Sequence, residues 1–290
     1  MLLRPDPPMF FEGKLRAQFD AFKGGIAMPP YQRPQLPASK NYCILITPRS
    51  GSTWLCRRIA RLNVLSCPEE YFNADEFTNT LTHNPGRDIY EVFDIVAGKN
   101  RTNTGVFGFK MSYFDLEEFE REAKLLEVMP GRKHFFYLSR QNFVAQAISL
   151  YTAVESRVFH VFGKSAELSQ RRDVPYDDDK IMYWACHILQ QEYGFQEWLT
   201  ANGIWPVRLM YEDLLADIDA AIAKIARHLG IDISRAQEIA TPQTEKIAAD
   251  WAPDYEQRFR GRHREFCDIW DELRGTAPCL YTGAAPMPVG

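Results

Sequence analysis

The sequence lacks surplus positive charge, closely spaced cysteines and long apolar runs. Its 34 Lys and Arg against 38 Asp and Glu give a formal net charge of −4, so no global positive field attracts nucleic acid. The six cysteines form no Cys-x-x-Cys pair, which favours reduced thiols over a disulfide framework or a zinc site. No apolar run approaches the roughly 20 residues that cross a bilayer, and the N-terminus has no continuous signal-type core. We therefore expect a cytoplasmic protein without a transmembrane segment.

Short apolar runs alternate along the chain with helical patterns. Strands are predicted at 43–47, 105–111, 134–140 and 206–214, each followed by a helix. This alternation is typical of a three-layer α/β fold with a mainly parallel sheet and helices on both faces. We expect an irregular, proline-rich N-terminal arm at 1–41, one domain at 42–274 and a loose C-terminal tail at 275–290.

The most informative stretch is the turn at 48–53, "PRSGST", which follows a buried strand and opens a helix. Unpaired N–H groups at a helix start bind anions. Gly51 permits close backbone approach and Arg49 supplies permanent charge, while Ser50, Ser52 and Thr53 add hydroxyl groups. A simple Ser/Gly helix cap is the alternative. A P-loop nucleotidase would need an opening glycine and a lysine, and the turn lacks both. The strand at 134–140 also lacks an aspartate for a metal.

Three motifs occur in a characteristic order: "TPRSGSTWL", then "CPEEYFN", then "FYLSRQNFVAQAISLY". In this order the chain resembles the sulfotransferases that use 3′-phosphoadenosine 5′-phosphosulfate, most closely the bacterial trehalose 2-sulfotransferase family. The resemblance runs from about residue 42 to about residue 260. It implies a P-loop NTPase-like sulfotransferase fold, a sulfated nucleotide as co-substrate and no metal.

The resemblance also implies where that donor binds. Arg49, Ser50, Gly51, Ser52 and Thr53 would hold its 5′-phosphosulfate end. Arg140 and Ser149 would hold its 3′-phosphate, although they are nine positions apart where common sulfotransferases have eight. A late basic segment often covers the 3′-phosphate, so one or two of Lys246, Arg258, Arg260 and Arg262 would join the site. A solvated charged helix explains these four residues equally well.

The resemblance assigns catalysis to two residues. Glu70, in the element formed by Pro68, Glu70, Tyr71 and Phe72, would be the general base that deprotonates an acceptor hydroxyl. Arg49 would stabilise charge on the leaving phosphate. The adjacent Glu69 is expected to point elsewhere. A structural role for Glu70 stays open, as do His83, His134 and His160 as alternative bases.

These inferences predict an enzyme that transfers a sulfuryl group to a hydroxyl of a carbohydrate or glycolipid. The alternatives are a P-loop kinase-like phosphotransferase and a catalytically silent nucleotide-binding module. The expected partners are a sugar or glycolipid acceptor and no nucleic acid, and the resemblance implies a homodimer.

Overall fold

The computed structural model describes residues 13–23, 40–159, 173–234, 236 and 252–280, with side chains described up to residue 274. The strands are β1 (Lys40–Ile46), β2 (Val106–Met111), β3 (Arg132–Ser139) and β4 (Val207–Met210). The first eight helices are α1 (Lys14–Lys23), α2 (Ser52–Arg61), α3 (Phe77–His83), α4 (Ile89–Asn100), α5 (Tyr113–Glu122), α6 (Leu125–Val128), α7 (Phe143–Ser156) and α8 (Asp178–Ala201). The last four are α9 (Tyr211–Ala216), α10 (Ile218–Leu229), α11 (Ala252–Arg262) and α12 (Arg264–Leu280).

The four strands form one parallel sheet in the order β2-β1-β3-β4. Leu45 pairs with Met111, Ile46 with Leu138, and Ser139 with Met210. The carboxyl ends of all four strands therefore lie along one edge. The chain runs outward from β1 to β2 and then returns to β3 on the other side of β1. Open α/β sheets bind ligands at such a switch point, here between the loops that follow β1 and β3.

The sheet is covered on both faces. Along β1, Cys43 and Leu45 belong to one buried apolar cluster, whereas Ile44 and Ile46 belong to the other. Successive strand residues point to opposite faces, so both faces of β1 are buried. A third cluster joins α7 and α8 to Phe259 of α11. The predicted three-layer α/β fold is confirmed.

Two predicted segments differ from the structure. The strand predicted at 206–214 ends at Met210, and Tyr211–Ala216 is helical. Its partner β3 ends at Ser139, so no strand remains for Tyr211 to pair with. The arm predicted to be irregular at 1–41 contains helix α1, which buries Leu15 and Phe19.

The predicted domain end at 274 falls inside α12, which continues to Leu280. Residues 281–290 of the predicted tail lie outside the described residues. Among the helices described, none has the length and apolar character needed to cross a bilayer.

Candidate active site

The loop between β1 and α2 holds its backbone in an unusual conformation. Arg49 has φ 64° and Gly51 has φ 89°, and Ser52 begins α2. A left-handed arginine is a strained conformation of the kind that occurs at functional sites. The Oγ of Ser50 is completely buried and has no hydrogen-bond partner in the part of the chain that the structure describes. An unsatisfied buried hydroxyl beside a helix N-terminus suits a bound anion.

Helix α7 supports this loop from the side of β3. The Nε of Arg49 donates to the Oγ of Ser149 over 3.1 Å, and its Nη1 donates to the carbonyl oxygen of Phe159 over 2.5 Å. One turn before Ser149, the Nε2 of Gln146 donates to the carbonyl oxygen of Pro48 over 2.7 Å. Residues three apart share one face of a helix, so α7 presents Gln146 and Ser149 together to the loop.

Tyr211, the first residue after β4, lies against both the loop and Arg140. A methyl group at Gly51 would lie 2.6 Å from the Cδ2 of Tyr211, so only glycine fits there. The guanidinium carbon of Arg140 lies 4.6 Å from the centroid of the same ring. Burial lowers the pKa of Arg140, and its buried Nε has no hydrogen-bond partner among the residues described. The structure thus brings the two predicted donor-binding elements to the ring of one tyrosine.

The peptide groups around Arg140 are held from two directions. The carboxylate of Glu212 accepts the N–H of Gln141 over 3.0 Å. From α12, the Nη1 of Arg274 donates to the carbonyl oxygen of Arg140, and its Nη2 pairs with Glu192 at 2.5 Å. Only 9% of the Arg274 side chain is exposed. The C-terminal helix therefore reaches back to the end of β3.

The predicted late basic residues have partners of their own. Arg258 lies 3.9 Å from the ring centroid of Tyr176, Arg260 pairs with Glu256 at 2.8 Å and with Asp271 at 2.6 Å, and Arg262 lies 3.7 Å from Asp178. These contacts join α11 to its neighbours. Arg260 also donates to Asn142, the N-cap of α7. Lys246 lies outside the described residues.

Glu70 forms an ion pair with a residue that the sequence analysis did not identify. The Nζ of Lys110, near the end of β2, lies 2.7 Å from the Oε1 of Glu70 and 3.4 Å from the Oγ1 of Thr53. The side chain of Lys110 is 3% exposed and that of Glu70 is 37% exposed. Burial lowers the pKa of Lys110, but the negative charge of Glu70 opposes this and the net shift is upward. Lys110 is therefore protonated, and it links Glu70 to the loop.

The segment that carries Glu70 is fixed to β2 and α5. The N–H of Lys110 donates to the carbonyl oxygen of Glu69 over 3.1 Å, as in an added strand. The fully buried carboxylate of Asp115 accepts the N–H of Ala74 over 2.8 Å and the hydroxyl of Ser112 over 2.5 Å. Burial raises the pKa of Asp115 to about 6, although these hydrogen bonds oppose the shift. Both flanks of Glu70 are thus held in place.

A cavity of about 420 Å³ opens beside this ion pair. Its wall includes Thr53 in the first turn of α2, Lys110, Glu70 and Glu69, with Glu76 and other polar residues around α3. Glu69, which was expected to point elsewhere, also borders this cavity. The volume falls within the range of small-molecule sites. The end of the loop and a partly exposed carboxylate therefore border one space.

Two of the alternative bases, His83 and His134, are not part of the cavity wall. The Nδ1 of His83 contacts the carbonyl oxygen of Asn79 at 2.9 Å. His134 pairs in the sheet with Tyr42, well before the carboxyl end of β1, and its ring lies 5.1 Å from that of His228. His160 lies outside the described residues.

Sequence reasoning missed Lys110, Gln146 and Tyr211. A lysine inside the apolar strand "VFGFKM" is a detectable signal, since lysine is almost never fully buried unless paired. Gln146 is similarly a polar residue in an apolar stretch of α7. Tyr211 gave no signal because its position depends on where β4 ends. Within the described ranges, no three His, Cys, Asp or Glu residues are grouped so as to hold a metal ion.

Known proteins resemble this chain over most of its length. It is 23% identical over 261 residues to the trehalose 2-sulfotransferase of Mycobacterium tuberculosis (strain ATCC 35801 / TMC 107 / Erdman), covering 77% of this chain and 95% of that protein. It is 23% identical over 257 residues to the trehalose 2-sulfotransferase of Mycolicibacterium smegmatis (strain ATCC 700084 / mc(2)155), covering 76% and 94%.

Among solved structures, the sulfotransferase domain from the Synechococcus PCC 7002 olefin synthase aligns with a TM-score of 0.41 and 12% identity. The alignment covers 85% of this chain and 98% of that domain. The profile of the Stf0 sulphotransferases matches residues 41–262, well over half of the 290 residues. The chain therefore belongs to the Stf0 sulphotransferase family and is an enzyme that transfers a sulfuryl group.

Proposed function

We propose that the enzyme takes its sulfuryl group from 3′-phosphoadenosine 5′-phosphosulfate and transfers it to a hydroxyl of a carbohydrate. The observation that carries the proposal is the shared cavity, in which Thr53 at the end of the loop and Glu70 border the same space. The names of the two mycobacterial relatives support a sugar acceptor. Family membership favours sulfuryl transfer over the kinase-like alternative.

Polar groups at the carboxyl edge of the sheet, around the loop after β1, suit a nucleotide with anionic groups at two ends. Among the described residues, the buried Oγ of Ser50 and the buried Nε of Arg140 have no hydrogen-bond partner, and glycine at position 51 leaves room for the ring of Tyr211 beside the loop. Ser50, Gly51, Ser52 and Thr53 would hold the phosphosulfate end, while Arg140 and Ser149 would hold the 3′-phosphate. The donor supplies a sulfuryl group on a phosphate leaving group.

On this proposal, Arg49 stabilises the negative charge that develops at the loop during transfer. Its guanidinium is permanently charged and is fixed by hydrogen bonds to Ser149 and Phe159, so it needs no reorganisation during the reaction. Preorganised donors of this kind contribute several kcal/mol to catalysis. Sulfuryl transfer, like phosphoryl transfer, depends mainly on positioning and charge stabilisation.

Glu70 takes the proton of the acceptor hydroxyl. Its Oε1 contacts Lys110 and its Oε2 accepts from Asn73 over 3.2 Å, so the carboxylate is oriented while its side chain is still 37% exposed. Each oxygen has a second lone pair with which it can accept the hydroxyl proton. Lys110 fixes the base and places a positive charge between it and Thr53.

The test measures transfer of ³⁵S from labelled donor to trehalose and other sugars, with a metal chelator present. We expect turnover with the sulfated donor, and calorimetry should show tighter binding of adenosine 3′,5′-bisphosphate than of ATP. Glu70→Gln should lower kcat about a hundredfold or more, the range of general-base catalysis, without changing affinity for the bisphosphate.

The matched control is Glu127→Gln, which changes an exposed carboxylate on α6 and should leave kcat unchanged. Tighter binding of ATP with a need for magnesium would refute the donor assignment. An unchanged kcat in Glu70→Gln would refute the role of Glu70 as base.

A further inference from the structure

Much of the cavity wall uses its hydroxyl and amide hydrogens internally. The hydroxyl of Tyr71 donates to the carbonyl oxygen of Cys67 over 2.8 Å, and the hydroxyl of Thr80 donates to the carbonyl oxygen of Tyr71 over 2.8 Å. The amide of Asn73 donates to Glu70. These side chains have few hydrogens left to offer a ligand. Besides the N–H groups of Arg57 and Asn79, what the wall can still offer is hydrogen-bond acceptors.

Those acceptors are carboxylates. The carboxylate of Glu76 makes no hydrogen bond or ion pair within the part of the chain that the structure describes. From the described residues, the carboxylate of Glu69 accepts only a thiol, that of Cys67 at 3.7 Å. Ionised carboxylates accept hydrogen bonds and donate none. A ligand that satisfies Glu69 and Glu76 must therefore bring hydrogen-bond donors.

The charges on the wall lead to the same requirement. Glu69, Glu70 and Glu76 carry three negative charges against the positive charges of Arg57 and Lys110, and Lys110 is already paired with Glu70. The pKa of Cys67 is raised to about 11, first by burial and then by Glu69, as expected where a carboxylate makes the site negative. An anionic donor bound at the loop would add further negative charge next to the cavity.

We propose that the acceptor cavity selects an uncharged or amino-bearing polyhydroxyl molecule and excludes acceptors that already carry a carboxylate or a sulfate. This inference rests on the proposed function, because it treats the cavity as the acceptor site. Sugar hydroxyls and ammonium groups donate to Glu69 and Glu76, whereas a uronate or sulfate ester presents like charge and further acceptors. The volume of about 420 Å³ suits a mono- or disaccharide.

The same charges act on the product. In the reaction the acceptor O–H bond breaks, its proton passes to Glu70, an O–S bond forms, and the S–O bond to the leaving phosphate breaks. A neutral acceptor becomes a monoanion inside a wall with two carboxylates beyond the base. Repulsion then favours release of the ester and disfavours its return for a second transfer.

The experiment compares three matched acceptors in the ³⁵S assay: trehalose, its derivative with one C6 oxidised to a carboxylate, and its 6-amino-6-deoxy derivative. The same three forms of glucose are tested beside them. We expect kcat/KM for the neutral and amino forms to exceed that for the carboxylate by about tenfold or more, the effect of one like charge a few ångströms away at intermediate dielectric. Added salt should reduce this ratio.

The variants Glu76→Gln and Glu69→Gln identify the source of the discrimination. Each should lower the neutral-to-carboxylate ratio about threefold by raising kcat/KM for the carboxylate, while Glu127→Gln should leave the ratio unchanged. A wild-type enzyme that uses the carboxylate as well as the neutral sugar would overturn the inference and leave the proposed function intact. A protein that binds the bisphosphate but sulfates no sugar would instead refute the proposed acceptor class.

Discussion

Replacing Gly51 with alanine tests whether the loop and Tyr211 form one unit. Gly51 has φ 89° and ψ 8°. A methyl group there would lie 2.6 Å from the Cδ2 and 2.9 Å from the Cε2 of Tyr211, closer than carbon atoms approach without displacement. The ring must therefore move, and the guanidinium of Arg140, 4.6 Å from its centroid, must adjust with it.

The expected cost has two parts. A left-handed backbone costs an alanine about 1 kcal/mol, and forcing a methyl group into an occupied space costs about 1 to 3 kcal/mol. Gly203→Ala provides the matched control, because Gly203 has φ 61° and a methyl group there would meet nothing within 4 Å. The control should thus lose about 1 kcal/mol of unfolding free energy, and Gly51→Ala about 2 to 4 kcal/mol.

Thermal unfolding and calorimetric titration with adenosine 3′,5′-bisphosphate measure the two consequences. At about 2 °C per kcal/mol for a chain of this size, we expect Tm to fall by about 2 °C in Gly203→Ala and by about 4 to 8 °C in Gly51→Ala. Affinity for the bisphosphate should fall at least tenfold in Gly51→Ala and stay unchanged in the control. Equal Tm shifts in both variants, with full affinity in Gly51→Ala, would refute the reasoning.

Three further predictions concern residues that the sequence analysis left aside or ranked low. Lys110→Met removes the cation beside Glu70 and should lower kcat at least tenfold in the ³⁵S assay; an unchanged kcat would contradict its role. Arg274→Ala leaves the carbonyl oxygen of Arg140 unpaired and should weaken bisphosphate binding about tenfold by calorimetry, with partial recovery in Arg274→Lys; equal affinity in all three proteins would count against it. Burial, with a neighbouring histidine, lowers the pKa of His134 to about 4 from 6.5. The unfolded chain therefore binds more protons between these values, and stability falls as pH drops through that window. His134→Phe should remove about 3 kcal/mol of that loss of unfolding free energy, so Tm should depend less on pH in the variant than in the wild type. Parallel curves of Tm against pH for the two proteins would contradict this role of His134.

The elements that sequence predicted well are those with local signals. The apolar run predicted as a strand at 43–47 matches β1 up to Ile46, where the strand ends. Arg49 and Ser149, named from separate motifs, make direct contact. Each of these depends on residue types close in sequence, or on an order of motifs that a resemblance supplied.

The features that sequence missed depend on distant partners. Helix α1 is a short stretch without proline inside the proline-rich segment 1–41, and the helical spacing of Leu15 and Phe19 is its only local signal. The end of β4 depends on where β3 stops, which the residues of β4 do not encode. The position of Glu69 depends on its bridge to Phe109. Long-range pairing of this kind overrides local propensity.

The strand order explains why one loop can lie next to both the donor site and the acceptor site of a transfer reaction. β1 lies between β2 and β3, so the loop after β1 borders both: Thr53 contacts Lys110 on the β2 side, and Arg49 contacts Ser149 of α7, which follows β3. On the proposed function, the β2 side receives the acceptor and the β3 side holds the donor. A change at Lys110 should then affect kcat more than bisphosphate affinity, a change at Arg274 should do the reverse, and a change in the loop should affect both. Identical kinetic effects from all three positions would show that the two sides do not act separately.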